Sequence, residues 1–243
     1  MIMDLIKANI KNLTSLWRLA GLKDGTFISD ANYAISTVVE SEWPNKLWFH
    51  RPPTKELLED ILNRCESDGI TIPIWQNIVP EELLKSHGFS IKNELTGMSL
   101  QLNGTHNRTH RLSFQKVSDA SSAVLWSKLF LKAFGYFISP RTVELTKDRV
   151  DYLIGNHGSQ SIGTAVLYRD NPNTAGIHSI GVVPDHRRWG YAAELLDYVL
   201  YLAKQQGAKY ATLQASTMAK GLYLKTGFQE DFHIQNYKNI KTV

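Results

Sequence analysis

The residues best suited to chemistry lie in one turn in the second half of the chain. From position 182 the sequence reads Val-Val-Pro-Asp-His-Arg-Arg-Trp-Gly-Tyr-Ala-Ala, so an apolar strand stops at a proline and a basic turn runs into a helix. A helix start leaves backbone N–H groups without partners and carries about half a positive charge, which attracts an anion such as pyrophosphate. Gly190 allows close approach, and Arg187 and Arg188 offer charge-assisted hydrogen bonds. The turn therefore predicts a site for a phosphorylated ligand.

A second pattern follows downstream in the same half. From position 209 the residues read as a short apolar strand and a short helix that Gly227 ends. In this order the two patterns resemble the GCN5-related N-acetyltransferases (the GNAT family), whose acetyl-CoA signature is V-x-P followed by R/Q-x-x-G-x-G/A. Arg187, Gly190 and Ala192 fill that signature. The family's closing segment is matched by Ser216, Ala219, Leu222, Tyr223, Gly227 and Phe228.

The resemblance implies acetyl-CoA as co-substrate, with no metal, and direct transfer of the acetyl group to a primary amine of a small molecule or peptide. Backbone groups of Ile180, Gly181 and Val182 would pair with the pantetheine arm as an added strand does. Ser216 would contact the same arm where relatives use asparagine. The pyrophosphate would lie against the backbone of Arg188, Trp189, Gly190, Tyr191, Ala192 and Ala193.

Two side chains are candidates for proton transfer. The resemblance implies Tyr223 as the general acid for the departing thiolate, because a phenol with a pKa of about 10 is protonated at pH 7. The alternative for Tyr223 is an aromatic ring packed against the phosphate-binding helix. His178, on the strand before the turn, is the candidate base, although a strand histidine also serves purely structural roles. A base is unnecessary if the amine arrives neutral.

The sequence specifies the site for the acceptor amine less closely than it specifies the acetyl-CoA site. In relatives, acceptor recognition lies on the first two helices and their joining loop. The corresponding residues here are Trp126, Phe134, Tyr136, Phe137 and Arg141. An aromatic cleft would suit an amine with an apolar body, and core packing explains the same residues equally well. A further hypothesis is that the first half of the chain completes this pocket.

The amino-acid composition argues against several other classes of function. The 243 residues are 43% hydrophobic, which suits a soluble globular protein, and the single cysteine, Cys65, fits the reducing cytoplasm. The net charge of +4 is scattered, so neither nucleic-acid nor membrane binding is expected. A homodimer is one open alternative for the assembly. A non-catalytic acyl-CoA sensor is the alternative function, but such a protein would have no use for Tyr223.

The elements that must position these residues alternate between strand and helix. In chain order we predict a strand at 112–116, a helix after Asp119, a helix after Ser139, strands at 151–155, 161–169 and 175–183, and a helix that ends at Gly207. This order predicts an α/β fold with a mixed sheet, which the resemblance identifies as the GNAT acyl-CoA N-acyltransferase fold, in residues 104–243.

The first half echoes the end of the second. A strand at 46–50, a helix at 54–67 and the segment ending in Gly88-Phe89 repeat the later pattern, with Gly88 and Gly227 offset by 139 residues. No glycine-containing phosphate turn follows the strand. We therefore predict a truncated, degenerate GNAT-like domain at 1–103; chance resemblance is the alternative. The first 20 residues predict an amphipathic helix that packs on a domain, with membrane attachment as the less favoured reading.

Overall fold

The computed structural model describes residues 4–64, 69–75, 78–103 and 110–239. Eleven strands in these residues form one sheet. They are β1 (Thr26–Ser29), β2 (Tyr33–Thr37), β3 (Lys46–Phe49), β4 (Thr71–Ile74), β5 (Phe89–Gln101), β6 (Ser113–Lys116), β7 (Val150–His157), β8 (Gln160–Tyr168), β9 (Thr174–Val182), β10 (Tyr210–Ser216) and β11 (Gln229–Asn239).

Seven α-helices accompany the sheet in the described part of the chain. They are α1 (Leu5–Asp24), α2 (Lys55–Arg64), α3 (Glu81–Ser86), α4 (Ala120–Phe134), α5 (Pro140–Thr146), α6 (Tyr191–Gln205) and α7 (Thr217–Thr226). A 3-10 turn at Pro184–His186 precedes α6. The predicted mixed α/β fold is confirmed. The predicted last turn of α2 and the boundary segment 104–109 lie outside the described residues.

Local capping chemistry accounts for several of these bounds. Asp119 and Ser122 form a reciprocal capping box at the start of α4, and Ser139 caps α5 ahead of Pro140. Gly227, at φ +100°, ends α7 in the left-handed conformation that glycine adopts without steric cost. These predicted helix ends are confirmed.

The sheet runs through both halves of the chain in the order β1-β2-β3-β4-β11-β5-β10-β9-β8-β7-β6. The parallel pairs are β3 with β4 and β9 with β10, one in each half. The last strand of each half crosses to the other half, because β5 pairs with β10 and β11 pairs with β4. The two exchanged strands also pair with each other. The halves predicted at 1–103 and 104–243 therefore share one sheet.

Helix α1 lies across the middle of this sheet. Asp4 caps its start by accepting a hydrogen bond from the Lys7 N–H at 3.1 Å. Its buried side chains recur at the spacing of one helix face, and they are Asn9, Asn12, Leu13, Leu16, Trp17 and Ala20. The predicted packing of this helix on the protein is confirmed. No helix among the described residues is long and apolar enough to cross a membrane.

The two faces of the sheet near β9 carry different helices. A side chain on Gly163 would meet Leu195 of α6, whereas one on Gly181 would meet Phe134 of α4. Gly163 pairs with Val182 and Gly181 with Thr164, so the two glycines face opposite sides. Because the bulge between Thr164 and Val166 adds a residue to β9, Gly176 and His178 lie on the α4 side, which α1 also covers.

Any side chain at Gly176 should disturb the docking of α1 on β9. A Cβ atom on Gly176 would lie 1.7 Å from Oδ1 of the fully buried Asn12, whereas nothing lies within 4 Å of one on Gly221 in α7. Gly176→Ala should lower the free energy of unfolding by about 1–3 kcal/mol, and Gly221→Ala should leave it unchanged or raise it by up to about 1 kcal/mol. Urea titrations of both variants would measure this. Equal stability of the two would contradict the docking of α1 on β9.

Candidate active site

The candidate site begins where β9 and β10 part. The two parallel strands pair only at their first residues, from Thr174 with Tyr210 to Gly176 with Thr212. Beyond that point β9 keeps β8 as its partner, and β10 keeps β5. The facing edges of the two strands are thereby released from pairing over Ile180–Val182. An unpaired edge of this kind is what the expected pairing of Ile180–Val182 with an extended arm would require.

A bulge in β9 sits at the opening. The pairing register with β8 shifts between Thr164 and Val166, and Ser179 adopts a positive φ of +55°. The Thr164 hydroxyl donates a hydrogen bond to the Ser179 carbonyl at 3.0 Å and holds this conformation. A bulge bends the strand and redirects its edge groups, so Ile180–Val182 leave the line of the regular ladder.

The turn after β9 leads directly to the start of α6. Arg188 and Gly190 have φ values of +65° and +85°, and Gly190 is the residue before the first turn of the helix. The Ala193 N–H donates to the Gly190 carbonyl at 3.0 Å, whereas the Tyr191 and Ala192 N–H groups have no acceptor among the described residues. Trp189 is 65% exposed, whereas Tyr191 is buried against the core. Backbone donors, a positive helix end and a glycine are thus brought together as predicted for an anion site.

Arg187, predicted to contact the phosphates, has two hydrogen-bond partners within the protein. Its Nε donates to the Val182 carbonyl at 3.1 Å and its Nη2 to the Ala133 carbonyl at 2.8 Å. The guanidinium therefore joins β9 to the end of α4 rather than projecting toward a ligand, and it also engages one carbonyl expected to pair with pantetheine. Arg188 has no hydrogen bond or ion pair with the described residues, so it carries the available charge.

Sequence reasoning missed Arg111 at the same turn. Its Nη2 donates to the Trp189 carbonyl at 2.6 Å, its Nε pairs with Glu194 at 2.6 Å, and the guanidinium stacks 4.6 Å from the centre of the Tyr191 ring. Arg111 thus fixes the turn to the first turns of α6. No local pattern pointed to it, because it lies far from the turn in sequence.

The other predicted residues follow β10. Ser216 precedes α7, and its hydroxyl makes no capping hydrogen bond to that helix. Tyr223 lies within α7, 7% exposed, with its ring edge-on to Phe228 at 5.8 Å between centres. Burial raises the pKa of Tyr223 to about 12, so the phenol keeps its proton at neutral pH. Since β9 and β10 are parallel, Val182 and Ser216 end at the same edge of the sheet.

His178 belongs to a polar network that closes over the parting strands. Its Nε2 lies 3.1 Å from Asn12 Oδ1, and Asn12 Nδ2 donates to the Tyr168 carbonyl and to Asp170. Because the Asn12 oxygen must accept, Nε2 of the imidazole carries the proton. Burial lowers the pKa of His178 to about 4, against the opposing effect of a hydrogen bond with Gln214. That environment does not favour the base role expected from the sequence.

The same network extends to β10 through Asn9, which the sequence reasoning also missed. Asn9 Nδ2 donates to the Met98 and Leu213 carbonyls at 3.1 Å each, and Gln214 Nε2 donates to Asn9 Oδ1 at 2.5 Å. One asparagine of α1 therefore holds β5 and β10, and the other holds β8 and β9. Helix α1 spans the gap between the two parting strands.

A small cavity of about 40 Å³ lies beside His178. Its walls come from α1, from Trp43 before β3, and from Trp126 of α4. Of the predicted acceptor residues, Trp126 lines this cavity, while Phe134 packs against Gly181. The remaining three lie elsewhere: Tyr136 packs against Phe130, the Phe137 N–H donates to Glu42, and Arg141 pairs with Asp24 at 3.0 Å.

Comparison with known families decides what this arrangement is. The model of the acetyltransferase (GNAT) family matches residues 123–228, from the first turn of α4 to the end of the α7 segment. Residues 123–228 therefore correspond to a GNAT acetyltransferase domain, in a segment that is less than half of the chain. No curated protein matches the sequence at a significant level.

Solved structures share the fold of the whole chain, including the half outside the GNAT domain. A GCN5-related N-acetyltransferase from Kribbella flavida superposes with a TM-score of 0.73 at 14% identity, covering 100% of this chain and 98% of that one. A GCN5-related N-acetyltransferase from Sphaerobacter thermophilus gives 0.62 at 14% identity, covering 87% and 78%. A GCN5-related N-acetyltransferase-like protein from Streptococcus suis gives 0.61 at 15% identity, covering 96% and 98%. At these identities the likeness establishes the fold.

Substitutions of Arg187 and Arg188 should have different effects, one on stability and the other on CoA affinity. Arg188→Gln should weaken CoA binding about tenfold and reduce its salt dependence, with no loss of stability. Arg187→Gln should lower the free energy of unfolding by about 1 kcal/mol, because two backbone carbonyls lose a donor. Calorimetry with CoA and urea unfolding would measure both. Unchanged CoA affinity in Arg188→Gln would contradict its availability to a phosphate.

The desolvated imidazole of His178 should make the free energy of unfolding depend on pH. The folded-state pKa of His178 lies below its unfolded value, so the unfolded chain takes up the proton first as pH falls. Its stabilising contribution is complete above about pH 6.5 and declines toward pH 4 by up to about 1.4 kcal/mol per pH unit. Urea unfolding from pH 7 to 5 should show a shallower decline in His178→Gln. The matched variant of exposed His233, His233→Gln, should retain the wild-type slope, and an equal slope in all three proteins would refute the assignment.

Proposed function

We propose that the protein is an N-acetyltransferase that moves an acetyl group from acetyl-CoA to a primary amine of a small molecule or peptide. The observation that carries this is the parting of β9 and β10 directly before the glycine turn and the start of α6, inside the segment that matches the GNAT family. An extended arm that ends in phosphates needs this combination of an unpaired strand edge and an anion site.

The residues at the site fit acetyl-CoA as the acetyl donor. Ile180, Gly181 and Val182 would offer backbone groups to the pantetheine arm, and Ser216 would offer its uncommitted hydroxyl from the facing strand. The backbone from Arg188 to Ala193 would hold the pyrophosphate, with the Arg188 guanidinium beside it. Acetyl-CoA, when bound, would supply the acetyl group and leave as CoA thiol.

Proton balance defines what the side chains must do. One carbon–nitrogen bond forms as one carbon–sulfur bond breaks, the amine nitrogen loses one proton, and the sulfur gains one. Tyr223 is proposed to donate a hydrogen bond and then a proton toward the sulfur. Its pKa of about 12 keeps it protonated, but it exceeds the pKa of a thiol, about 8.5, so hydrogen bonding contributes more than complete transfer does.

His178 is proposed to act mainly as a neutral, oriented imidazole beside the amine. With a pKa of about 4 it gains little from removing a proton from an alkylammonium ion, whose pKa is about 10.4. The amine would therefore enter in its neutral form, or lose its proton to water before transfer.

Removal of the Tyr223 hydroxyl tests the reaction. Tyr223→Phe should lower kcat about 100-fold or more while the KM for acetyl-CoA stays within about twofold, because the phenol would act on the transition state. Release of CoA thiol with a panel of amines would measure both constants. Tyr198→Phe is the matched control, because Tyr198 of α6 stacks on Phe114 of β6, and this variant should keep wild-type kinetics.

Calorimetry with acetyl-CoA separates this proposal from its alternative. Tight binding without transfer to any amine would favour a non-catalytic acyl-CoA sensor. Absence of binding to the folded protein would refute both functions.

A further inference from the structure

Arg111 contacts the turn before α6 although it precedes β6 and lies outside the segment that matches the GNAT family. Its Nη2 donates to the Trp189 carbonyl at 2.6 Å, and its Nε donates to Glu194 at 2.6 Å. Its guanidinium lies 4.6 Å from the centre of the buried Tyr191 ring. One side chain therefore binds the last part of the turn and the first turn of the helix together.

The bond to the Trp189 carbonyl sets the direction of the next N–H group. The C=O and N–H groups of a planar trans peptide point to opposite sides. Because the Trp189 carbonyl faces Arg111, the Gly190 N–H points away from it, and this N–H has no acceptor among the described residues. The Tyr191 and Ala192 N–H groups have none there either. Arg111 thus binds the carbonyl on one side of the turn and leaves consecutive donors for an anion.

The backbone of this turn requires such support. Arg188 has a φ of +65°, which costs free energy for a residue with a side chain, and Gly190 has a φ of +85°. Strained conformations of this kind persist where the surrounding contacts fix them. Arg111 makes contacts on both sides of the glycine, with the Trp189 carbonyl and with the Tyr191 ring. A Cβ atom on Gly190 would lie 3.4 Å from Arg111 Nη2, so the guanidinium packs against the glycine itself.

The charge of Glu194 explains why a cation suits this position. Glu194 lies in the first turn of α6, beside the backbone donors proposed to bind pyrophosphate. Burial opposes its ionisation, but hydrogen bonds from Arg111 and from the Leu112 N–H hold the pKa of its carboxyl below the ordinary value. The group is therefore charged at pH 7. Without Arg111 this carboxylate would repel a phosphate at the helix start.

We propose that Arg111 is a positioning residue for the acetyl donor, which holds the backbone of residues 188–192 in the shape that binds pyrophosphate and neutralises Glu194 beside it. The inference rests on the proposed acetyl transfer. It follows from the juxtaposition of the guanidinium, the Trp189 carbonyl and the Glu194 carboxylate at one helix start. Arg111 acts through the backbone, because its Nε and Nη2 are engaged within the protein.

Binding of acetyl-CoA to Arg111→Gln tests this role. Calorimetry should show an affinity about tenfold or more below that of the wild-type protein, because the turn loses a charged hydrogen bond and Glu194 loses its counter-charge. Lys116→Gln is the matched control. Lys116 of β6 pairs with Asp151, and its side chain is 54% exposed, against 52% for Arg111, so this variant removes the same charge and a similar ion pair. Equal affinity in the two variants would overturn the inference.

Two acetyl donors separate positioning of the turn from general support of the fold. With the amine that the panel identifies, Arg111→Gln should raise the KM for acetyl-CoA about tenfold or more, while kcat stays within about twofold. With S-acetylpantetheine, which has no phosphate, kcat/KM should stay within about twofold of the wild-type value. An equal fall with both donors would overturn the inference, because it would show that Arg111 only supports the fold.

Two further variants test the charge and the geometry. Arg111→Gln/Glu194→Gln should recover part of the lost affinity for acetyl-CoA, because no unpaired carboxylate remains. Arg111→Lys should lie between the wild-type protein and Arg111→Gln, since lysine keeps the charge but lacks the planar fork that bonds Glu194 and Trp189 together. No recovery in the double variant would overturn the part assigned to charge, and wild-type affinity in Arg111→Lys would overturn the part assigned to geometry. Thermal unfolding would confirm that each variant folds.

The outcomes also separate this inference from the proposed function. If the folded wild-type protein binds no acetyl-CoA, the proposed function fails and this inference fails with it. If the wild-type protein binds acetyl-CoA and Arg111→Gln binds it as tightly, only this inference is overturned.

Discussion

The parting of β9 from β10 is the constraint on which the rest of the site depends. Two parallel strands in the middle of a sheet normally satisfy each other's backbone groups, and separating them leaves donors and acceptors without partners. Here the pairing ends after Gly176 and Thr212, and the bulge at Ser179 turns β9 away. The open edge, the turn and the start of α6 are consecutive along the chain, so the three parts of the proposed acetyl-CoA site lie next to one another.

Helix α1 stabilises the sheet where β9 and β10 separate. Two asparagines on its buried face tie the helix to strands on both sides of the gap, since Asn9 bonds to carbonyls of β5 and β10, and Asn12 bonds to a carbonyl of β8 and the imidazole on β9. Each such hydrogen bond contributes about 0.5–1.5 kcal/mol net, and more is lost when a buried carbonyl is left without a donor. An apolar helix face would cover the gap but leave those groups unsatisfied. The same helix supplies walls of the small cavity beside His178, so the shape of that cavity depends on how the helix docks.

Local chemistry made much of the second half predictable. Asp119, Ser139, Gly207 and Gly227 end or begin helices through interactions within a few residues, and the glycine turn before α6 is equally local. What could not be predicted depends on partners distant in sequence. Arg111, which precedes β6, donates to the Trp189 carbonyl in the turn, and the Arg187 guanidinium donates to the Ala133 carbonyl near the end of α4. The exchange of β5 and β11 also escaped prediction, because a strand pattern does not specify its neighbour.

In the first half, two parallel strands also pair only at their starts, but tryptophan side chains occupy the space beyond that point. Strands β3 and β4 pair at Lys46 and Thr71, as β9 and β10 pair at their starts. Beyond that point Trp48 and Trp75 pack against Trp17 of α1, with ring centres 5.5 and 6.4 Å away. Large rings that bury their surface in this way stabilise the fold but close the space that an extended ligand arm would need. The absence of a glycine turn after β3 matches this packing, and α1 contacts both places: Trp17 packs in the first half, and Asn12 bonds to His178 beside the opening.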